Sequence, residues 1–324
     1  MSFMVFHSAE DWAARYGASG RGSVLAIGNF DGIHLGHQAI LRGVVERAKE
    51  RGGVATALTF EPSPLKVLRP EAAPLRLSTN EQRLTWFRAN GLEAAVVLRF
   101  TMELARLSPE DFVRDILVRG LHLRAVLVGE NFRFGHRQAG DVRLLGALGE
   151  KHRFTVEIVP PVTFRGEIVS STVIRREIQA GNVSHAARLL GRPFVLTGPV
   201  VTGTGTGRRF TFPTLNIAPE QELLPAKGVY ITQAKFGNAL YDAVTNIGHR
   251  PTFNGASLSV ETHLLDYSEN ETPQRIKIRF WKRLREEKKF AGADELRAQI
   301  ARDIARAESF FTRLRRFRAL RQPA

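Results

Sequence analysis

A chain of 324 residues without a single cysteine holds no disulfide, no thiolate metal site and no cysteine nucleophile, and its length is that of two domains. No stretch approaches the roughly 18 consecutive apolar residues of a membrane span. The first residues, Met-Ser-Phe-Met-Val-Phe-His-Ser, lack the regions of a signal peptide, so a cytoplasmic protein is expected.

Lys and Arg number 47 against 32 Asp and Glu, a formal charge of +15. That balance favours anionic partners: nucleotides, phosphorylated metabolites, nucleic acid or acidic lipid. A basic background with solvated helix faces is the reading preferred to a dedicated nucleic-acid surface.

In chain order, residues 24–27 predict a short buried strand. Residues 38–51 predict a helix, with Ile40, Leu41, Val44, Val45 and Ala48 at helical spacing. Further strands are predicted at 54–60, 94–98, 125–128 and 155–159. Helices are predicted over 79–89, where Thr79 and Gln82 form a capping box, and over 109–117. This alternation implies βαβ units and a Rossmann-like parallel sheet with helices on both faces. Ligands of such sheets bind outside the carboxyl ends of the strands, where strand order reverses. The polar ends 28–32, 61–64 and 129–135 share that edge.

The pattern changes at Gly191-Arg192-Pro193. Strands at 194–202, 229–236, 240–246, 258–267 and 276–281 are separated by turns that leave no room for crossover helices. They predict an antiparallel sheet or small barrel. A terminal helix starts at about Ala293, with Leu296, Ile300, Ile304, Phe311 and Leu314 on one stripe. The domains are expected at 1–186 and 187–324.

Several segments carry chemistry. Gly28 and Gly32 permit a tight strand-to-helix turn with the backbone close to a ligand, and the N–H groups of a helix start favour phosphate. His34 and His37, three apart, share a helix face and can both donate to one anion, stabilising charge that develops in a transition state. The plain alternative is two surface histidines capping a helix. Ser170-Ser171-Thr172 precede a helix-spaced 174–178; their hydroxyls suit caps, while the helix start suits an anion and Arg175 adds a planar cation. Asn131 follows the fourth strand, as a turn asparagine or a ligand contact.

In the second half, Gly203, Gly205 and Gly207 form a glycine-rich loop that is not a Walker motif. Its N–H groups could wrap phosphates or simply turn a hairpin. Thr214 and Asn216, two apart on an extended segment, offer hard oxygens to Mg²⁺. Glu261 lies on the less apolar face of its strand, as an exposed carboxylate paired with an arginine or as a base. Five arginines between 313 and 321 read as a solvated helix end.

The run Gly28-Asn29-Phe30-Asp31-Gly32-Ile33-His34-Leu35-Gly36-His37 resembles the H-x-G-H signature of the nucleotidylyltransferase superfamily. With Thr59-Phe60-Glu61-Pro62, Val128-Gly129-Glu130-Asn131-Phe132-Arg133-Phe134-Gly135, Ser170-Ser171-Thr172-Val173-Ile174-Arg175, Phe212-Pro213-Thr214-Leu215-Asn216, Asn246-Ile247-Gly248-His249-Arg250-Pro251-Thr252-Phe253 and Val260-Glu261-Thr262-His263-Leu264-Leu265-Asp266, the chain resembles bacterial bifunctional riboflavin kinase/FAD synthetases along nearly its whole length.

The resemblance implies that the first domain adenylylates FMN with ATP. Gly28, Asn29, Phe30, Asp31, Gly32, His34, His37, Asn131, Ser171, Thr172 and Arg175 would serve the nucleotide, and Phe132 and Phe134 either stack on a flavin or pack in the core. It implies that the second domain phosphorylates riboflavin. There Gly203, Gly205 and Gly207 would hold phosphate, Thr214 and Asn216 Mg²⁺, Glu261 would be the base and Arg285 would lie near the flavin, in a pocket at the barrel mouth. Riboflavin, FMN, FAD and ATP are the expected partners, with no nucleic acid or membrane, in a monomer or weak homo-oligomer. A nucleotidylyltransferase with another acceptor, and a basic nucleic-acid-binding protein on an enzyme scaffold, are the alternatives. Three departures stand out: Ser63 where the family has histidine, Thr211 where it has glycine, and a 268–274 segment without the family's acidic-aromatic-glycine pattern.

Overall fold

The computed structural model describes residues 3–201, 214–252, 255–267, 272–288 and 290–320, with side chains for all of these but 249–252, 255–257 and 318. The chain forms two compact units, Met1–Ser171 and Thr172–Ala324.

The first unit is built on six strands, β1 (Met4–Phe6), β2 (Ser23–Ile27), β3 (Val54–Glu61), β4 (Ala94–Arg99), β5 (Leu123–Gly129) and β6 (Thr155–Val159). They form one sheet in the order β1-β4-β3-β2-β5-β6, with every pair parallel. All of β2 is buried, as a central parallel strand covered on both faces must be.

One face carries α1 (Ala9–Tyr16), α5 (Pro109–Asp111, continued as a π-type helix over Phe112–Gly120) and α6 (Val142–His152), which bring Trp12, Phe112, Leu117, Leu145 and Leu148 into the core. The other carries α2 (Leu35–Arg51) and α4 (Asn80–Ala89), whose Leu41, Val44, Ala48 and Phe87 meet the far sides of β2, β3, β4 and β5. The short α3 (Pro64–Leu68) follows β3, and a two-stranded hairpin, β7 (Thr163–Phe164) with β8 (Glu167–Ile168), follows β6. The Rossmann-like expectation holds. The capping box forms as well: Thr79 Oγ1 accepts from Gln82 N while Gln82 Oε1 accepts from Thr79 N. Strand order reverses between β2 and β5, which sets the ligand crevice beyond Ile27 and Gly129.

The second unit opens with α7 (Ser171–Gln179), whose first residue belongs to the preceding unit, and α8 (Val183–Leu190). It continues with β9 (Phe194–Val201), β10 (Leu215–Ile217), β11 (Gly228–Phe236), β12 (Ala239–Thr252), β13 (Gly255–Leu264) and β14 (Arg275–Arg285), and ends with α9 (Ala293–Ala319). The six strands close an antiparallel barrel in the order β10-β13-β12-β11-β14-β9. Ala226 N donates to Ile178 O and Ser184 Oγ to Trp281 O, which ties α7 and α8 to the barrel. The contact boundary thus falls before these helices, at 171/172, whereas composition suggested 186/187.

The barrel interior is filled. Leu196, Tyr230, Val260, Ile278 and Phe280 are buried there, and the Thr232, Thr245 and Thr262 hydroxyls form a chain at 2.7 and 2.9 Å. Alternate residues face outward, where Val229, Ile231, Val244 and Leu265 meet Ala307 and Phe311 of α9. Among the described residues the barrel core is thus occupied by side chains, and the polar residues expected at the second site lie on the outward face.

Candidate active sites

At the switch point, the turn after β2 leaves ordinary backbone geometry. Phe30 has φ +49°, Gly32 +81° and Ile33 +37°. Left-handed non-glycine residues persist only where surrounding contacts fix them. Those contacts come from the segment before α4. Leu77 N, Ser78 N and Ser78 Oγ donate to the Asp31 carboxylate at 3.0–3.1 Å, and Gly32 N donates to Ser78 Oγ at 3.0 Å. The Asp31 carboxylate is therefore engaged in holding the turn, and the phosphate role expected of it has no side-chain basis. Phe30 is likewise a core residue, 1% exposed and edge-on to Phe87 and His37. Only its backbone is left for a ligand.

His34 is the N-cap of α2, its Nδ1 accepting from His37 N at 3.4 Å. An imidazole nitrogen that accepts carries no proton, so in the neutral ring the proton lies on Nε2. The two rings are stacked, with centroids 3.7 Å apart and planes at 20°. The helix cap and the residue expected to meet phosphate are thus the same side chain, and it is buried rather than on the surface. A Cβ at Gly36 would come within 3.1 Å of His34 Cε1, which explains the glycine between the histidines. Gly36→Ala should displace the His34 ring by a few tenths of an ångström and slow the nucleotidyl transfer expected of this turn about tenfold, with the reaction expected of the barrel unchanged, in paired assays of one preparation.

Asn131 is exposed just past β5, across the switch point from the β2 turn. Phe132 and Phe134 stack on each other at 5.5 Å and join the core, which favours the packing role for both. Ser171 donates its hydroxyl to Asp31 O at 2.9 Å. Its single proton is committed there, which leaves the backbone N–H for the phosphate role expected of it. Thr172 is exposed and Arg175 half-buried, on the first turns of α7. Ser63 caps α3 without a side-chain bond.

Sequence reasoning passed over Arg83. It is buried and gathers Asn29 O, Thr59 Oγ1, Glu61 Oε2 and Asn80 Oδ1. Burial alone would raise the Glu61 carboxyl pKa, but Arg76 and Arg83 outweigh it and hold that group below the usual glutamate range.

On the barrel, the second set lies along one row of register partners. Asn216 faces Glu261, Glu261 faces Asn246, Asn246 faces Val229, and Val229 faces Arg285. Directly paired residues share a face, here the outer one. Among the described residues nothing hydrogen-bonds or ion-pairs with the Glu261 carboxylate, so the expected arginine pairing is absent there. Thr214, half-buried, lies two residues before Asn216 and just ahead of β10. Asn246 is the further polar neighbour that the sequence quoted only as part of a motif. Arg285 donates from Nε to the buried Asp303 carboxylate at 2.8 Å and lies over the Phe290 ring at 5.5 Å. Gly203, Gly205, Gly207 and Thr211 lie outside the described residues.

Stacked imidazoles beside a parallel-sheet switch point in one unit, and a carboxylate set between two asparagines on a barrel wall in the other, give the chain two separate candidate sites. The family model of FAD synthetase matches residues 17–173 and that of riboflavin kinase residues 190–311. The bifunctional riboflavin kinase/FMN adenylyltransferase of Escherichia coli K12 is 37% identical over 90% of this chain and 93% of its own. That of Pseudomonas fluorescens is 39% identical over 89% and 93%, and that of Haemophilus influenzae 33% over 90% and 95%. A crystal structure described as a macrolide-efflux protein from Streptococcus pneumoniae is similar with a TM-score of 0.82 and 28% identity, covering 89% of this chain and 94% of that one. The chain belongs to the bifunctional riboflavin kinase/FMN adenylyltransferase family.

Proposed function

We infer that this chain makes FMN from riboflavin and FAD from FMN, consuming one ATP at each step. Family membership over nine-tenths of the chain carries this reading. FAD formation belongs to the switch-point crevice. An oxygen of the FMN phosphate attacks the α-phosphorus of ATP, the bond to the β-phosphate breaks, and pyrophosphate leaves. The nucleophile is already an anion, so the protein's part is positioning and charge neutralisation by His34, His37 and backbone N–H groups of the turn and of Ser171, with Asn131 at the rim; Thr172 and Arg175 are assigned to phosphate by the family motif alone.

FMN formation belongs to the barrel wall. Glu261 takes the proton of the terminal ribityl hydroxyl as its oxygen attacks the γ-phosphorus, and ADP leaves. Glu261 and Arg285 lie three strand spacings apart, at most about 14 Å. That span suits a ligand with a reacting hydroxyl at one end and an aromatic ring at the other. Gly203, Gly205 and Gly207 are assigned to the phosphates.

Thr214 and Asn216 supply hard neutral oxygens beside a carboxylate, and the described residues contain no group of three acidic or imidazole ligands. Such a donor set fits Mg²⁺ held jointly with ATP phosphates. Bound there, the ion would neutralise phosphate charge. No helix among the described residues is long and apolar enough to cross a membrane. The protein is proposed to work in the cytoplasm on small molecules, without nucleic acid, as a monomer or weak oligomer.

Chromatography of a reaction containing the protein, riboflavin and Mg-ATP tests the reading. FMN should appear first and FAD after it. Failure to consume riboflavin, or FMN accumulating without FAD, would overturn the respective half.

A further inference from the structure

Arg83 occupies the wrong kind of position for an arginine. It lies on the same stripe of α4 as Phe87, four residues on, whose side chain is fully buried; Arg83 itself is 2% exposed. A cation in such a place is costly unless it is fully engaged. Its engagement converges on the carboxyl edge of the sheet. One terminal nitrogen donates to Asn29 O at 2.9 Å and Thr59 Oγ1 at 3.1 Å, and the other to Glu61 Oε2 and Asn80 Oδ1, each at 2.9 Å. Burial pushes its pKa down to about 10, which leaves it charged at neutral pH.

We propose that Arg83 is a positioning residue for FAD formation, acting through the Asn29 carbonyl on the turn that delivers His34 and His37. The proposal rests on the assignment of FAD formation to this crevice. A peptide unit is planar and trans, so fixing the Asn29 carbonyl also fixes the opposite direction of the Phe30 N–H. Phe30 and Ile33 then take their left-handed conformations, and His34 arrives at the N-cap of α2. Asp31 and Ser78 hold the far end of the same turn. Arg83 holds its beginning. An apolar residue would fill the space against Phe87 equally well but could not grip a carbonyl at the active edge.

The test compares Arg83→Met, which fills the position and donates nothing, with Arg83→Lys, which keeps the charge but not the fork. For Arg83→Met, kcat of FAD formation should fall about 100-fold with KM for ATP little changed. The urea unfolding midpoint should fall, because removing one member of a buried pair leaves the Asn29 carbonyl, the Thr59 hydroxyl and the Glu61 carboxylate without its donors, so rates are compared per folded molecule, without denaturant. FMN formation, measured on the same preparation, should not change. Arg83→Lys should recover part of the lost kcat. Wild-type kcat in Arg83→Met, or a loss that vanishes once rates are corrected for the folded fraction read by circular dichroism, would overturn the proposal. If Arg83→Met does not fold, Arg83→Lys decides: reduced kcat at the wild-type midpoint supports the proposal and unchanged kcat removes it. His34→Asn run alongside separates the two levels. Retained FAD formation in that variant would remove the site assignment itself, whereas its loss beside an active Arg83→Met would remove only the role of Arg83.

Discussion

Replacing Glu261 by glutamine is expected to stop FMN formation while FMN supplied from outside is still converted to FAD at the wild-type rate. The loss should be about 10²- to 10⁴-fold in kcat, the range for removal of a positioned acid or base. Glutamine keeps the size, the strand propensity and most of the polarity of the side chain, so the β13 ladder against Asn216 and Asn246 should be undisturbed. What disappears is the capacity to take a proton. The hydroxyl of riboflavin is a poor nucleophile, unlike the phosphate of FMN, which is why this half of the chain needs a base and the other does not. Separate assays with riboflavin and with FMN as substrate read the two rates from one sample. An unchanged FMN rate would leave Glu261 as an ordinary solvated strand residue. Equal loss in both assays would mean that the two activities are not divided between the units as proposed.

How much of this was legible in the sequence depends on the range of the interactions involved. The apolar run of β2, the capping box at Thr79 and the start of α9 at Ala293 are local signals, and each appears where its residues predict. β1 has three residues and owes its existence to pairing with β4, a partner ninety positions away. α6 contains Gly146 and Gly149, poor helix formers, and is held by the Asp141 cap and by Leu145 and Leu148 in the core. At the sites, the histidine pair was readable because both members lie within one turn of helix. Asp31, Ser171 and Phe30 were readable as site neighbours but not by task. Their side chains face Ser78, the Asp31 carbonyl and Phe87, contacts that span up to 140 positions. The register that sets Glu261 between Asn216 and Asn246 is likewise a property of the closed barrel. Arg83 was hidden by its surroundings in the sequence, since a helical arginine is ordinarily a solvated one.

The stacked histidines pose a sharper question, because His34 does two things at once. As N-cap it satisfies the His37 N–H, and loss of such a cap costs about 1 kcal/mol. In the proposed reaction it also offers the opposite ring nitrogen as a donor to phosphate. His34→Ala removes both, so a drop in FAD formation with alanine leaves the cause open between a frayed helix and a missing donor. His34→Asn separates them. Asparagine is among the best N-cap residues, and its short amide can accept from the same N–H, but it does not extend to where the imidazole Nε2 stands. FAD formation in His34→Asn should therefore fall about 10²- to 10³-fold, as when one preorganised donor to a developing charge is removed. The thermal midpoint should remain that of the wild type, and riboflavin phosphorylation should be untouched. In His34→Ala the same loss of activity should come with a lower midpoint. Should asparagine preserve FAD formation and alanine abolish it, the imidazole would be a cap alone, and the assignment of FAD formation to this crevice would fall with it.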